Sequence, residues 1–267
     1  MPQRYKMTIA YDGTAYAGWQ IQPRNVAVQE VVQNAIRSVT GEAVVVHASG
    51  RTDHGVHARG QVVHADFERP RDLTATLTRG MNAVLPPDIR VLDARPVADW
   101  FHARRSVLSK EYRYFIWNDE VVPPFIRAYR THVRGRLDAE AMAKAASSLA
   151  GRHDFAAFTA NPNRFVESTV RNLTCLSVKR KGVEIVILAR ADGFLYKMVR
   201  SLAGFLIRVG EGAVHPEAAG RVLLSRVRTA GVPTAPPQGL FLWNVKYPRT
   251  GRQAEAKRLL PKVWAGD

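Results

Sequence analysis

Apolar residues recur at positions 28, 31, 32, 35, 36 and 39, the rhythm of a helix that buries one face, and Gly41 follows as its stop. Ahead of this helix, residues 5–11 read as a strand that ends at the turn Asp12-Gly13. Residues 43–48 form a short β-branched run and residues 61–67 a further strand, with residues 50–60 connecting the two. A second helix is predicted over residues 72–84, with Asp72 suited to its N-cap, and residues 89–97 close the unit as a strand. The order β-α-β-β-α-β is the ferredoxin-like pattern, also used by RNA-recognition modules, in which helices cover one face of an antiparallel sheet.

The second half reads as a degenerate version of the first. Strands are predicted at 111–117 and 129–133, an Ala-rich helix at 138–150, and strands at 173–179 and 183–191. An apolar helix at 196–209, a shorter one near 216–224 and a last strand at 240–247 follow. The pattern therefore predicts an α/β (α+β) protein of two ferredoxin-like, RRM-like halves with mixed, mainly antiparallel sheets. Residues 1–105 make the first half, 106–247 the second, and 248–267 a basic tail carrying Arg249, Arg252, Lys257 and Arg258. No flexible linker marks the boundary, so tightly packed halves are expected.

Composition narrows the function. Lys and Arg total 39 against 23 Asp and Glu, a net charge of +16, and a surface this basic gathers polyanions and binds phosphate backbones by releasing counterions. Nucleic acid is the leading partner. An anionic membrane is the rival, but the cations are not gathered on one amphipathic helix or in one tract. The first residues lack an apolar signal core and no apolar run approaches a bilayer span, so a cytoplasmic protein without membrane attachment is expected. The single cysteine, Cys175, excludes an intramolecular disulfide and a multi-cysteine zinc cluster; its strand-like surroundings predict a buried structural thiol.

The stretch from Ser49 to Val62 holds the candidate chemistry. Its glycines permit sharp turns, and Arg51 and Asp53 set a carboxylate among cations two positions apart. Taken alone, Asp53-His54-Gly55 reads most simply as a turn. His54 and His57 have metal-like spacing, but no cysteine or carboxylate completes a ligand set, so no metal is expected.

Gly50-Arg51-Thr52-Asp53, then Gly55-Val56-His57-Ala58 and Gln61-Val62, resembles the catalytic signature of the tRNA pseudouridine synthase A family. Other motifs of that family have their likeness in Gly18-Trp19-Gln20, Phe101-His102-Ala103-Arg104, Ser109-Lys110-Glu111-Tyr112-Arg113-Tyr114, the run 194–200 and the run 235–240. In order, they cover residues 5–247. The chain departs from the pattern at His54, where a small residue is common, at His64-Ala65-Asp66-Phe67, and at Arg105; these bear on fine substrate contacts.

The resemblance implies an isomerase that converts uridine to pseudouridine at positions 38, 39 and 40 of the tRNA anticodon arm, without cofactor or metal. It implies two halves whose sheets join around a central basic cleft holding Asp53, and a homodimer. Asp53 would be the catalytic carboxylate, by covalent attack at the anomeric carbon or by removing a sugar proton on a glycal route. Arg200 matches the family's arginine that pairs with this aspartate; its plain alternative is a surface arginine over a core helix. Tyr112 matches the tyrosine that stacks on the target base and helps at carbon 5, although alternation puts Tyr112 and Tyr114 on one face, where a core pair is the default. Arg51 matches the arginine that helps expel the base from the stem, and Leu240 an apolar wall, or an ordinary core leucine. Arg113 and the tail arginines are expected to serve binding. The rival class is a non-catalytic RNA-binding protein or tRNA chaperone, against which Asp53, Arg51, Tyr112 and Arg200 argue, because binding alone needs only basic and stacking groups.

Overall fold

The computed structural model describes residues 2–69, 72–160 and 166–249. In chain order the elements are β1 (Gln3–Tyr11), α1 (Val28–Thr40), β2 (His47–Ala48), β3 (His57–Phe67), α2 (Met81–Val84), β4 (Ile89–Pro96) and β5 (Ser109–Trp117). There follow β6 (Thr131–His132), α3 (Ala139–Leu149), β7 (Gly151–Asp154), β8 (Val170–Lys181), β9 (Glu184–Ala191), α4 (Met198–Gly210), α5 (Ala218–Ser225) and β10 (Leu240–Lys246). The protein is of the mixed α+β class. Among the described residues no helix is long and apolar enough to cross a membrane.

The described residues fall into two compact units. One holds residues 2–69, 72–108 and 241–249; the other holds 109–160 and 166–240. In the first, β1 lies between β3 and β4, antiparallel to both, and β2 pairs antiparallel with the far part of β3 through His47 and His64. The order β4-β1-β3-β2 is that of a ferredoxin-like sheet. The near part of β3 has a different neighbour: Phe241 and Leu242 of β10 pair in parallel with His57 and Ala58. One edge of β3 is thus shared by two strands, and the loop 49–56 leaves where β2 ends.

The alternating burial of β1 follows from its sequence, with Tyr5, Met7, Ile9 and Tyr11 buried and the intervening residues half-exposed. Helix α1 buries Val28, Val32, Ala35 and Ile36, and Gly41 takes the left-handed conformation that lets its N–H reach Arg37. No side chain caps its start. Instead the N–H groups of Val28 and Gln29 donate to the carbonyls of Gly18 and Trp19, which satisfies two of the unpaired donors of a helix N-terminus.

Two expectations need correction here. Of the run 43–48 only His47 and Ala48 pair, because residues 42–46 make no ladder with β3. The helix expected over 72–84 is helical from residue 74 but opens into a π-helical turn at Thr76–Gly80 before α2; Asp72 accepts the Thr74 N–H at 2.9 Å.

In the second unit β9 joins β5 to β8, and β7 lies beyond β8, all antiparallel, while β6 pairs in parallel with the end of β5. The order β5-β9-β8 repeats β1-β3-β2 of the first unit. Asp138 caps α3, accepting the N–H groups of Glu140 and Ala141. Cys175 is half-exposed rather than buried: a register shift between Leu173 and Cys175 keeps Leu173 and Leu176 inside and turns Cys175 to the other face of β8.

Residues 99–106 are fastened to the first sheet by polar groups. Arg4 donates to the carbonyls of Asp99 and Phe101, Tyr247 to that of Ala103 at 2.6 Å, and the Ala103 N–H donates to His64 Nδ1 at 3.2 Å. Burial pushes the His64 imidazole down to about 3, with His102, Arg4 and His47 acting in the same direction and Asp66 opposing them. A base depressed in the folded state binds protons more readily when unfolded, so the contribution of His64 to stability is complete above about pH 6.5 and is lost as pH falls toward 3. The thermal midpoint is therefore expected to drop between pH 7 and pH 5 by less in His64→Asn, whose amide oxygen can still accept the Ala103 N–H, than in the wild type. Parallel curves for the two proteins would refute this account.

Candidate active site

The loop between β2 and β3 is anchored on both flanks. At its start, the fully buried amide of Gln61 donates to the Gly50 carbonyl at 2.8 Å and accepts the Ser49 hydroxyl at 2.7 Å. At its centre, the buried Thr52 hydroxyl bonds the Tyr11 phenol at 2.8 Å, and the Thr52 carbonyl accepts the Trp19 N–H at 3.1 Å. At its end, the Val56 N–H donates to the Asp53 carbonyl and the Gly55 N–H to that of Tyr16, closing a tight turn. Asp53 is half-buried between these ties, while Arg51 and His54 are exposed.

Residues 12–20 make this possible by approaching the loop backbone to backbone. A Cβ on Gly18, whose φ is +93°, would stand 2.4 Å from the Thr52 carbonyl oxygen, and one on Gly13 would stand 2.1 Å from that of Val56. Only glycine fits at either place. Trp19 is buried against Tyr11, their ring centroids 6.1 Å apart, and Gln20 accepts a hydrogen bond from Arg51 Nε at 3.1 Å.

The two histidines of the loop region have separate fates. His54 is exposed; His57 is buried at the start of β3, stacked on Phe241 at 4.6 Å, with Nδ1 accepting the Gly13 N–H at 3.0 Å. Asp12 Oδ1, which accepts the N–H and hydroxyl of Thr14, also stands 3.1 Å from that nitrogen.

The other candidates lie in the second unit. Tyr112 is buried on β5 opposite Ala189, its ring edge-to-face with Phe194 at 5.1 Å. Tyr114 shares its face and donates to the Pro236 carbonyl at 2.9 Å, while burial pushes its phenol up. The opposite face carries Arg113. Its guanidinium pairs with Glu111, which Arg190 also engages at 2.6 Å, so Arg113 has a structural partner as well as the binding role expected of it. Burial disfavours the Glu111 charge, yet the two arginines hold its carboxyl below the ordinary range.

Arg200 lies in the first turn of α4, where its Nε donates to the Ala235 carbonyl at 2.7 Å and its own carbonyl accepts the Ala235 N–H at 3.0 Å. It is not a loose surface arginine. Leu240, the first residue of β10, is buried, as a core leucine or an apolar wall would be. The run 235–240 thus holds the Arg200 side chain and seats Leu240 in one stroke. Of the basic residues of the tail, Arg249 is exposed, and Arg252, Lys257 and Arg258 lie outside the described residues.

Several bracing residues were not picked out individually from the sequence. Ser49, Gln61, Tyr11 and Gln20 touch the candidate loop through side-chain hydrogen bonds. The available signal was their place within or beside the recognised motifs, together with Gly13 and Gly18, whose role depends on contact with a distant stretch of chain.

Comparison with known proteins bears on this arrangement. A family model described as tRNA pseudouridine synthase matches residues 7–104 and 145–248. A tRNA pseudouridine synthase A of Moorella thermoacetica is 45% identical over 246 residues, covering 91% of this chain and 98% of the relative. Proteins of the same name from Bacillus pumilus and Geotalea daltonii are 43% and 42% identical, each over 91% of this chain and over 99% and 98% of their own lengths.

Replacing Gly18 by alanine is expected to lower stability by roughly 1–3 kcal/mol in chemical denaturation, because a Cβ collides with backbone that has no rotamer to yield. Tyr11→Phe, which removes only the hydroxyl on Thr52, is expected to cost about 1 kcal/mol. Unchanged midpoints in both variants would mean that the loop is not held from this side.

Proposed function

Because this chain belongs to the tRNA pseudouridine synthase family, we propose that it isomerises uridine to pseudouridine in tRNA, with Asp53 as the catalytic carboxylate. The reaction breaks the bond between N1 of uracil and the ribose anomeric carbon, turns the base, and forms a bond from carbon 5 to the same sugar carbon. The hydrogen on carbon 5 is lost and N1 gains one. Nothing is oxidised or consumed, so a carboxylate, a positioned base and exclusion of water suffice.

The observation that carries this reading is Asp53 itself, a half-buried carboxylate in the family's signature on a loop tied through Gln61, Tyr11, Trp19 and Tyr16. A carboxylate that acts at the ribose must hold its direction while the base leaves and returns, and a loop tied at several points loses little entropy in doing so. Asp53 serves either as nucleophile, forming an ester at the anomeric carbon, or as the base that removes a sugar proton to give a glycal. Family resemblance assigns Arg200 as the arginine that pairs with this aspartate, and its Nε is held by the Ala235 carbonyl. Tyr112, held edge-on by Phe194, is assigned to stack on the target base and to help at carbon 5, and Leu240 to line its apolar side.

Arg51, exposed beside Asp53, would help draw the uridine from its stack, which must happen before any group reaches the sugar behind it. By family resemblance, the targets on this reading are nucleotides 38, 39 and 40 of the anticodon arm, and the enzyme works as a homodimer in the cytoplasm. The net charge of +16 supports a polyanionic substrate, and an L-shaped RNA is large enough for its body and arm to touch different subunits.

Tritium at carbon 5 of uridine in an unmodified tRNA transcript is the direct reporter. Wild-type protein is expected to release it, and Asp53→Asn to release none while binding the transcript within about threefold of wild type, since the substitution removes one negative charge and little area. Tight binding without release by the wild type on several tRNAs would replace this reading with that of a non-catalytic RNA-binding protein.

A further inference from the structure

Arg51 is a long, exposed side chain, and an unrestrained arginine loses rotamer freedom when a ligand fixes it. Here one end is already held. Gln20 Oε1 accepts from Arg51 Nε at 3.1 Å, which leaves the two terminal nitrogens, each with two N–H groups, to donate elsewhere.

Gln20 is itself tightly placed. On one side, Trp19 donates its N–H to Thr52 and accepts that of Gln29 at 3.0 Å; on the other, the Ile21 N–H donates to Gln29 Oε1 at 3.2 Å. Gln29 is buried in α1 and donates in turn to the Val46 carbonyl at 2.9 Å. Gly18 meets Thr52 and Asp53 backbone to backbone just ahead of this segment. The position of Gln20 is therefore set by the same contacts that set the catalytic loop, and its side chain carries that setting out to an arginine that would otherwise wander.

We propose that Gln20 is a positioning residue: by holding Arg51 Nε it presents the guanidinium for extrusion of a base-paired uridine, and so sets how well the enzyme acts on targets inside the stem. The inference rests on the isomerase reading above. Extrusion of a paired and stacked base costs more than that of a mismatched one, so help with extrusion matters most for the paired target. A defect that merely loosened the loop would slow both targets alike, because the chemistry after extrusion is the same.

The test uses single-turnover tritium release from two transcripts that differ only in whether the uridine at position 39 is paired or mismatched, with Gln20→Met and Gln20→Glu beside the wild type. Methionine keeps the length of glutamine but has no amide oxygen; glutamate keeps an acceptor for Arg51 Nε. Gln20→Met is expected to lose about fivefold or more on the paired target and less than about twofold on the mismatched one, with Gln20→Glu within about twofold of wild type on both. In an Arg51→Ala background, Gln20→Met is expected to cause no further selective loss, since both changes act through one group. Equal losses of Gln20→Met on the two targets, no loss on either, or failure of Gln20→Glu to retain activity would overturn the proposal. Absence of release by the wild type would instead remove the isomerase reading on which it stands.

Discussion

The approach of residues 12–20 to residues 52–56 is the constraint on which the candidate site depends. Two stretches of backbone meet where a Cβ would stand 2.4 Å or less from a carbonyl oxygen, so glycine occupies both points of contact. Close approach brings hydrogen bonds that neither stretch could satisfy alone: Trp19 to Thr52, Gly55 to Tyr16, and Gly13 to the ring of His57. The same short segment caps the open start of α1 with the carbonyls of Gly18 and Trp19. A loop that would fray in isolation is thereby tied to a strand end, to a helix start and to Tyr11, and the backbone that carries a half-buried aspartate is held in place.

Basicity is divided between structure and surface. Arg4 gathers the Asp99 and Phe101 carbonyls and the Asp66 carboxylate, Arg90 those of Leu85, Pro86 and Ile89, and Arg180 that of Leu137 together with the Asn118 amide. Arg228 bridges the Thr159 carbonyl, Ser201 and Thr234, and burial lowers its pKa, as it does that of Arg171. Guanidinium suits this work because its planar fork satisfies several carbonyls at once and stays charged where an ammonium would lose its proton. The excess of 39 cations over 23 anions is thus an upper bound on what faces a polyanion. Arg51, Arg59 and Arg249 are among those left exposed.

The repeated strand order, β1-β3-β2 and β5-β9-β8, explains how one scaffold carries candidate residues of different kinds. In the first unit the loop between the second and third strands of the pattern bears Asp53. In the second the corresponding connection is the short turn between β8 and β9, and the candidate residues are instead Tyr112, within the first strand, and Arg200, at the head of the helix that follows the third. Strand and helix start are stiff elements, which suits residues assigned to hold a base and a charge in place.

Periodicity and turn chemistry by themselves determined much of this protein: α1 with its Gly41 stop, the strand of β1 and the two-sided character of β5, while Asp53 stood out only through the resemblance of its stretch to a family signature. These are local properties, because a residue's face and a helix's end depend on neighbours a few positions away. Tertiary structure alone decided that residues 43–46 stay outside the ladder, that a register shift exposes Cys175, that β3 shares one edge between β2 and β10, and that Gln61, Tyr11 and Gln20 brace the loop. Each of those outcomes is a choice of partner among groups far apart in the chain. The energy that settles such a choice is absent from any window of sequence until the fold brings both partners together.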